Sequence, residues 1–270
     1  MSPLLILAWV AIGFGVGTLS AMLGIGGGLF VAPLLLHYYE HLAGIDQALI
    51  APLAAATSLL SVWVTSLLGG LGHWRHGEVA WREALWAGLT GAVAGWLITW
   101  GVATQPGYRP EILRIVLAVI FGMLLVRMLL QSGVRVQRRC HPPGWVPPLV
   151  GIAAGVVSPL AGIGGGVVMV PLWYYVGRME MHRATGTSIA SIVPIASVAL
   201  LVYVVRGWGH AGLPTYSLGY VDWVTALPLL VGSALGAPLG AHLAQRIPAP
   251  WLRRIFALVS LGMILYLLRG

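Results

Sequence analysis

The stretch "LGIGGGLFVAPLLLHYY" occupies residues 23–39, and glycine fills four of the five positions from 24 to 28. Glycine destabilises a helix interior, so we expect this run to interrupt an otherwise apolar helical segment. A closely similar stretch, "AGIGGGVVMVPLWYYV", returns at residues 161–176, with its glycines displaced by 138 positions. A duplicated interruption of this kind predicts a chain built from two related halves.

Further matches follow the glycine runs in the same order along both halves. They are "ATSLLSVWVTS" (56–66) with "GTSIASIVPIAS" (186–197), Gly77-x-Val79-x-Trp81 with Gly219-x-Val221-x-Trp223, Gly91 and Gly95 with Gly232 and Gly236, and "RPEILRIVLAVIFGMLL" (109–125) with "APWLRRIFALVSLGMIL" (249–265). We therefore divide the chain into a first membrane repeat (1–130), a basic cytoplasmic linker (131–148) and a second membrane repeat (149–270).

The composition identifies an integral membrane protein. Hydrophobic residues make up 59% of the 270 positions and charged residues 8%, with a mean hydropathy of +0.90, whereas soluble domains carry about 25% charged residues. The net charge is +8 and every basic side chain is arginine. These arginines lie between apolar segments, so they are interpreted as topology signals and lipid contacts rather than as a nucleic-acid surface.

Each half contains five apolar segments, and the second of each half is too short to cross a membrane. Segment 29–39 would span about 16 Å as a helix, against a hydrocarbon core of about 30 Å. We expect the first two segments of each half to form a re-entrant helical hairpin with the glycine run at its tip. The segments are 3–22, 29–39, 47–71, 84–104 and 111–130, then 146–160, 166–177, 186–206, 221–244 and 251–268.

The predicted fold is therefore an all-α integral membrane protein of two homologous halves, each with one hairpin and three transmembrane helices. If each hairpin returns to its own side, the two halves are inverted, and eleven arginines lie on the linker side against four on the other. If each hairpin crosses instead, the halves are parallel and the split is eight against seven. The positive-inside rule favours the inverted arrangement.

The glycine runs are candidate anion sites, because each precedes a short helix. The first N–H groups of a helix lack intrahelical partners, the helix dipole adds partial positive charge, and glycine lets a solute approach the backbone. Two inverted hairpins would bring both runs face to face near the midplane. The alternative is close helix packing, a common use of small residues in membranes. The candidate residues are Gly24, Gly26, Gly27, Gly28, Gly162, Gly164, Gly165 and Gly166.

Matched hydroxyl side chains in the third segment of each half are the second group of candidates. They can donate hydrogen bonds to an anion without a fixed charge; the alternative is bonding to a backbone carbonyl or to a neighbouring helix. The candidates are Thr57, Ser58 and Ser61 in the first half and Thr187, Ser188 and Ser191 in the second.

Several classes of function are disfavoured by what the sequence lacks. All seven acidic residues lie near segment ends, whereas cation carriers commonly bury carboxylates. The spacing of His73 and His76 lacks the further ligands of a metal site, and we expect all eight histidines to lie at the interface. No catalytic motif or cofactor-binding fingerprint is present, so an enzyme and a cofactor are not expected. The sequence leaves open a role for Asp222 or His242 in proton coupling.

The duplicated GIGGG, the matched Thr-Ser segments and the "GYVDW" at 219–223 resemble the TauE/SafE family of sulfite exporters. The resemblance extends over nearly the whole chain and implies a secondary transporter of the bacterial or archaeal inner membrane. It also implies a sulfite-like or organosulfur anion as substrate, usually moved outward, and it points to the same eight glycines. The first half departs from the pattern with "GEVAW" at 77–81.

The expected function is secondary active transport, in the outward direction, of small sulfur-containing oxyanions such as sulfite or organosulfonates by alternating access. The alternative is a permease for metal ions or other small solutes. The expected partners are the anionic substrate and membrane lipid, with no nucleic acid, and a homo-oligomer is compatible with the sequence.

Overall fold

A computed structural model describes residues 3–42, 45–105, 141–210, 212–248, 250–252, 254–255, 257–258 and 261–262. These residues form eight α-helices outside the C-terminal segment: α1 (Pro3–Leu23), α2 (Gly28–Glu40), α3 (Gln47–Arg75), α4 (Trp81–Ile98), α5 (Val146–Ala161), α6 (Gly166–Tyr175), α7 (Met181–Gly207) and α8 (Trp223–Arg246). A π-helical turn, Thr99–Ala103, continues α4, and the short strands β1 (Ser217–Leu218) and β2 (Val221–Asp222) pair antiparallel before α8.

The helices confirm an all-α, multi-pass membrane protein. Five of them, α1, α3, α4 with its π turn, α7 and α8, are long and apolar enough to cross a membrane. The helices that follow the glycine runs are short, with 13 residues in α2 and 10 in α6. The described positions between 250 and 262 are helical. The predicted segment 111–130, most of the linker and part of segment 251–268 lie outside the described residues.

The first helix of the chain packs against the last long helix through glycine. A Cβ added to Gly13 of α1 would collide with the carbonyl oxygen of Leu229 in α8, and one added to Gly17 would lie 2.8 Å from the Cα of Ser233. Lipid provides no hydrophobic force between helices, so close backbone approach at small residues supplies the attraction. Because the contacts advance together along both chains, α1 and α8 run in the same direction.

Helices α4 and α5 pack against each other in the same way as α1 and α8. A Cβ added to Gly151 or Gly155 of α5 would collide with the carbonyl oxygens of Ala87 and Gly91 in α4. The first helix of each half therefore packs against the fourth helix of the other half. This reciprocal arrangement interlocks the two halves along their whole length.

The third helices, α3 and α7, cross between these pairs. The indole N–H of Trp63 in α3 donates to the hydroxyl of Ser197 in α7 over 2.8 Å. Gly69 comes after Trp63 in α3 and packs against Ile189, which comes before Ser197 in α7. The helices α3 and α7 therefore run in opposite directions. Both helices lie beside the glycine runs.

We expect Gly13→Ala to destabilise the protein by about 1–3 kcal/mol, because the added methyl group overpacks the contact with the α8 backbone. Thermal unfolding of the purified protein in detergent measures this change. Gly15→Ala is the matched control, since Gly15 is exposed and its Cβ position has nothing within 4 Å. Gly15→Ala should leave the unfolding temperature unchanged or raise it through better helix propensity. Equal effects of both substitutions would contradict the packing argument.

Candidate functional site

The two glycine runs lie against each other, backbone to backbone. A Cβ on Gly28 would collide with the carbonyl oxygen of Gly162, and a Cβ on Gly166 would collide with that of Gly24. Gly24 and Gly162 have positive φ angles of 74° and 65°, a conformation that glycine adopts without steric cost. These four glycines therefore have a packing role, which is the alternative weighed for them from the sequence.

Two predicted serines satisfy the backbone carbonyls at this contact. The Ser58 hydroxyl donates to the carbonyl oxygen of Gly162 over 2.9 Å, and the Ser188 hydroxyl donates to that of Gly24 over 3.1 Å. The last carbonyls of a helix have no intrahelical donor, and Gly24 and Gly162 follow the ends of α1 and α5. Each half thus caps the broken helix of the other half.

The predicted threonines bind the backbone just before α4 and α8. Thr57 Oγ1 accepts from the amide of Asp222 over 3.1 Å, and Thr187 Oγ1 accepts from the amide of Ala80 over 3.0 Å. The Ser191 hydroxyl donates to the Thr187 carbonyl one turn earlier in α7. Of the six predicted hydroxyl groups, only that of Ser61 is buried without a hydrogen-bond partner among the described residues.

Asp222 is the N-cap of α8 and joins three elements. Its carboxylate accepts from the amide of Val224 (3.0 Å), the hydroxyl of Thr225 (2.5 Å) and the hydroxyl of Tyr39 in α2 (3.0 Å). The side chain is buried, so these donors replace water around its charge. Its counterpart Ala80 has no side-chain acceptor, so the "GEVAW" of the first half lacks the side-chain cap that "GYVDW" supplies in the second half.

The middle glycines of the first run are arranged differently from the packed ones. Gly26 and Gly27 have φ angles of 85° and 89°, and within the described chain the amides of Gly26, Gly27 and Gly28 donate to no backbone carbonyl. The nearest atom to a Cβ on Gly27 is the hydroxyl oxygen of Ser20 at 3.4 Å. The amides at the start of α2 therefore lie beside a polar group.

Two buried hydroxyl groups flank this part of the run. Ser20 Oγ lies next to Gly27, and Ser66 Oγ lies 3.3 Å from the Cβ position of Gly26. Both side chains are buried and neither hydroxyl has a partner among the described residues. Burial of an unpaired hydroxyl costs free energy, and a water molecule or an ion can supply the missing partner of such a group.

Neither serine was predicted from the sequence, although a signal for one of them exists. Ser20 is matched by Ser158 at the equivalent position of the second half, and the buried Ser158 hydroxyl also lacks a partner within the described chain. Ser66 has alanine at the matched position, Ala196, so internal repetition could not have identified it.

A groove on the molecular surface reaches Ser66. Its volume is about 300 Å³, and α3, α4 and α7 form its walls. Trp74 and Trp81 lie at its exposed end, while Ser66 and Ala190 lie deeper. The groove therefore leads from the apolar exterior toward the hydroxyl group beside Gly26.

The expectation that all eight histidines are interfacial is wrong for His73, whose side chain is buried. Its Nδ1 lies 2.5 Å from Glu78 Oε2, and its Nε2 lies 2.9 Å from the carbonyl oxygen of Ala21. The Trp173 side chain is also buried. Among the described residues no group of three metal-ligating side chains occurs.

Comparison with known proteins agrees with this architecture. The family model "Sulfite exporter TauE/SafE" matches residues 9–267. The chain belongs to the TauE/SafE sulfite exporter family. This family consists of membrane transporters rather than enzymes, which agrees with the five apolar helices.

Curated relatives carry the same description. A "probable membrane transporter protein" of Haemophilus influenzae is 26% identical over 94% of both chains, and one of Xylella fastidiosa is 28% identical over 96% of this chain and 94% of its own. A relative with that name from Methanocaldococcus jannaschii is 26% identical over 97% and 95%. No solved structure matches significantly.

We expect Asp222→Ala to destabilise the protein by about 3 kcal/mol, because two buried hydroxyl donors lose their charged acceptor and α8 loses its cap. Chemical denaturation in detergent measures the loss. Asp46→Ala is the matched control: Asp46 caps α3 through one bond to the amide of Ala48 and is exposed, so it should cost about 1 kcal/mol. A smaller loss for Asp222→Ala than for Asp46→Ala would refute the cross-linking role.

Proposed function

We propose that this protein is a secondary active transporter that exports small sulfur-containing oxyanions, such as sulfite or organosulfonates, across a bacterial or archaeal inner membrane. The family description and the names of the relatives support transport. The proposal of an anionic substrate rests on the free amides at Gly26–Gly28 together with the unpaired buried hydroxyls of Ser20 and Ser66.

In this proposal the first glycine run supplies the main contacts to the anion. The N–H groups at the start of α2 and the partial charge of that helix favour a negative solute, and Ser20, Ser61 and Ser66 donate hydroxyl hydrogen bonds. Gly164 and Gly165 of the second run add amides from α6. The packed glycines and the capping hydroxyls of Thr57, Ser58, Thr187, Ser188 and Ser191 hold the two runs in place around the substrate.

The proposed transport cycle uses inverted halves and two re-entrant hairpins. The opposite directions of α3 and α7 support inversion, because these helices are matched in the two repeats. Gly28 and Gly26 at the start of α2 lie against Val62, whereas Tyr39 at its end reaches the region of Thr57 through Asp222. The direction of α2 is thus opposite to that of α3. Thr57 binds the Asp222 amide and the Cβ position of Gly72 lies against Ala241, so α3 runs parallel to α8 and therefore to α1. The resulting antiparallel arrangement of α1 and α2 supports a hairpin.

Alternating access requires the centre of the molecule to open toward one side at a time. Val62 of α3 and Ile192 of α7 both lie against the Cβ positions of Gly26 and Gly164. In the proposed cycle these two apolar side chains close the path between the glycine runs. Relative movement of α3 and α7 would separate them and open the anion site to one aqueous side.

Purified protein in liposomes tests the proposed function. We expect labelled sulfite or a labelled sulfonate to exchange across the membrane in the presence of the protein and not in empty vesicles. A panel of chloride, phosphate and divalent cations identifies the selectivity. Flux of a divalent metal without any flux of sulfur oxyanions would overturn the proposal in favour of a metal-ion permease.

We expect Ser20→Ala and Ser66→Ala each to weaken anion binding about tenfold, the effect of losing one hydrogen bond to a charged group. Neither change should lower the unfolding temperature, because neither hydroxyl has a protein partner. The concentration dependence of exchange measures the affinity. Ser197→Ala is the control, since the exposed Ser197 hydroxyl is already bonded to Trp63 and Val193 and should leave affinity unchanged. Unaltered affinity in both test variants would remove Ser20 and Ser66 from the site.

A further inference from the structure

A buried pair of titratable side chains lies outside the proposed anion site. His73 is in the last turn of α3, and Glu78 is in the turn that leads to α4. The imidazole contacts the Glu78 carboxyl through Nδ1 and the Ala21 carbonyl oxygen through Nε2. The imidazole is fully buried while the Glu78 side chain is 17% exposed, so the carboxyl group connects the buried ring to water.

The chemistry of the two contacts fixes the number of protons in the pair. A carbonyl oxygen only accepts, so Nε2 of His73 carries a hydrogen and donates it to Ala21. An ionised carboxylate also only accepts. The 2.5 Å contact between Nδ1 and Glu78 therefore needs a second proton, held either on Nδ1 or on the carboxyl group. With that second proton in place, both contacts of the imidazole are hydrogen bonds.

We propose that His73 and Glu78 form the proton-binding site that couples anion transport to the proton gradient. This inference rests on the proposed function. When the proton leaves through the exposed carboxyl oxygen to water, the charge of the pair changes from zero to −1. The imidazole then has one N–H group, which donates either to Ala21 or to Glu78, and the other hydrogen bond is lost.

Each contact leads to an element that packs against one of the helices α3 and α7, which move in the proposed cycle. Ala21 lies in the last turn of α1, three residues before the glycine run. Glu78 precedes Ala80, whose amide is bound by Thr187 of α7 at the start of α4. The Glu78 carbonyl and His73 also lie against Gly186 of α7. Loss of the proton therefore alters the contacts made at the C-terminal end of α1 and at the N-terminal end of α4, together with their packing against α7.

The second half contains the same backbone arrangement without the titratable pair. Tyr203 and Tyr220 occupy the positions matched to His73 and Glu78, and the Tyr203 hydroxyl donates to the Pro159 carbonyl over 2.9 Å, as His73 does to Ala21. The Tyr220 amide donates to the Tyr203 carbonyl just as the Glu78 amide donates to that of His73. Two tyrosines thus meet the structural requirement, so a histidine with a carboxylate is not needed for the fold.

A tyrosine hydroxyl ordinarily titrates at about pH 10, well above neutral. The rings meet edge to face, with centroids 6.2 Å apart. Burial raises the pKa of the Tyr220 hydroxyl above its ordinary value, although Arg206 opposes this shift. Only the first half therefore offers a group that binds and releases a proton at this position.

Among the described residues, no ion pair joins His73 or Glu78 to a third charged side chain. α1 carries no charged side chain, and in the described part of the chain the ion-pair partner of Glu78 is His73. Of the groups around the pair, Glu83 contacts His141, His76 contacts the Gly72 carbonyl, and His182 contacts the carbonyls of Ala244 and Ile247. The other charged or titratable groups on the surrounding helix ends are Arg75, Arg82, Arg183, His242 and Arg246.

Glu78→Gln separates proton binding from structure. The glutamine amide donates to Nδ1 while Nε2–H still donates to Ala21, so the variant keeps both contacts but lacks the carboxyl group through which the proposed proton leaves to water. The assay uses proteoliposomes that contain a pH-sensitive dye and a gradient of a sulfonate, whose headgroup charge does not change with pH. We expect wild-type protein to move protons together with the sulfonate and the variant to lose proton movement.

Tyr220→Phe, at the matched position of the second half, is the control and should retain proton movement. Exchange of labelled sulfonate at equal pH on both sides is measured in parallel. Absence of exchange in the wild type would overturn the proposed function itself. Exchange in the wild type with equal proton movement in Glu78→Gln would overturn the proton site alone.

A measurement on the unmodified protein covers the case in which Glu78→Gln does not fold. Protein labelled with ¹⁵N at histidine reports the protonation of the buried imidazole by magnetic resonance. We expect the His73 ring nitrogens to shift over the same pH range in which the exchange rate changes. Ring resonances that stay constant while the exchange rate changes with pH would overturn the proposal.

Discussion

The structure depends on one constraint, which is that backbone groups freed inside a membrane must find partners within the protein or face a polar cavity. Each glycine run ends one helix and begins another, and thereby frees carbonyl and amide groups. Ser188 binds the freed carbonyl of Gly24, and Ser58 binds that of Gly162. Because each serine belongs to the opposite half, neither broken helix is completed by its own repeat, and the two halves depend on each other for a satisfied backbone.

The same reciprocity governs the packing of the helices. α1 lies along α8 and α5 lies along α4, with glycine at the closest contacts. In lipid these contacts contribute through dispersion rather than through the hydrophobic effect, so they depend on fit. Glycine consequently has two separate uses in this chain. Gly13 and Gly151 permit close helix contact, whereas Gly26 and Gly27 adopt backbone angles that expose amides to a polar neighbour.

Much of the fold could be predicted from the sequence because apolar length and internal repetition are local signals. Segment 47–71 was predicted and α3 extends over Gln47–Arg75; segment 146–160 was predicted and α5 covers Val146–Ala161. The same signals do not distinguish Gly28 from Gly27, since the difference lies in what faces each Cβ position. Gly28 faces the Gly162 carbonyl, and Gly27 faces Ser20.

The candidate site was less predictable for the same reason. Ser58 and Ser61 lie one turn apart in α3, yet one hydroxyl caps a carbonyl of the other half and the other has no partner within the described residues. His73 stands in "HWRH", a stretch typical of an interface, and its burial follows from contacts with Ala21 and Gly186 that are distant in sequence. Tertiary partners, rather than residue types, decide these roles.

Differences between side chains at matched positions make the two halves of the structure inequivalent. Two identical inverted halves would form inward-open and outward-open states of equal free energy, because a two-fold rotation about an axis in the membrane plane would convert one state into the other. Here the matched positions differ in chemistry: Asp222 stands opposite Ala80, and His73 stands opposite Tyr203. Interactions that occur in only one half shift the balance between the states, and a ligand that binds that half moves the balance further. Different side chains at matched positions therefore make the two halves inequivalent for a bound solute.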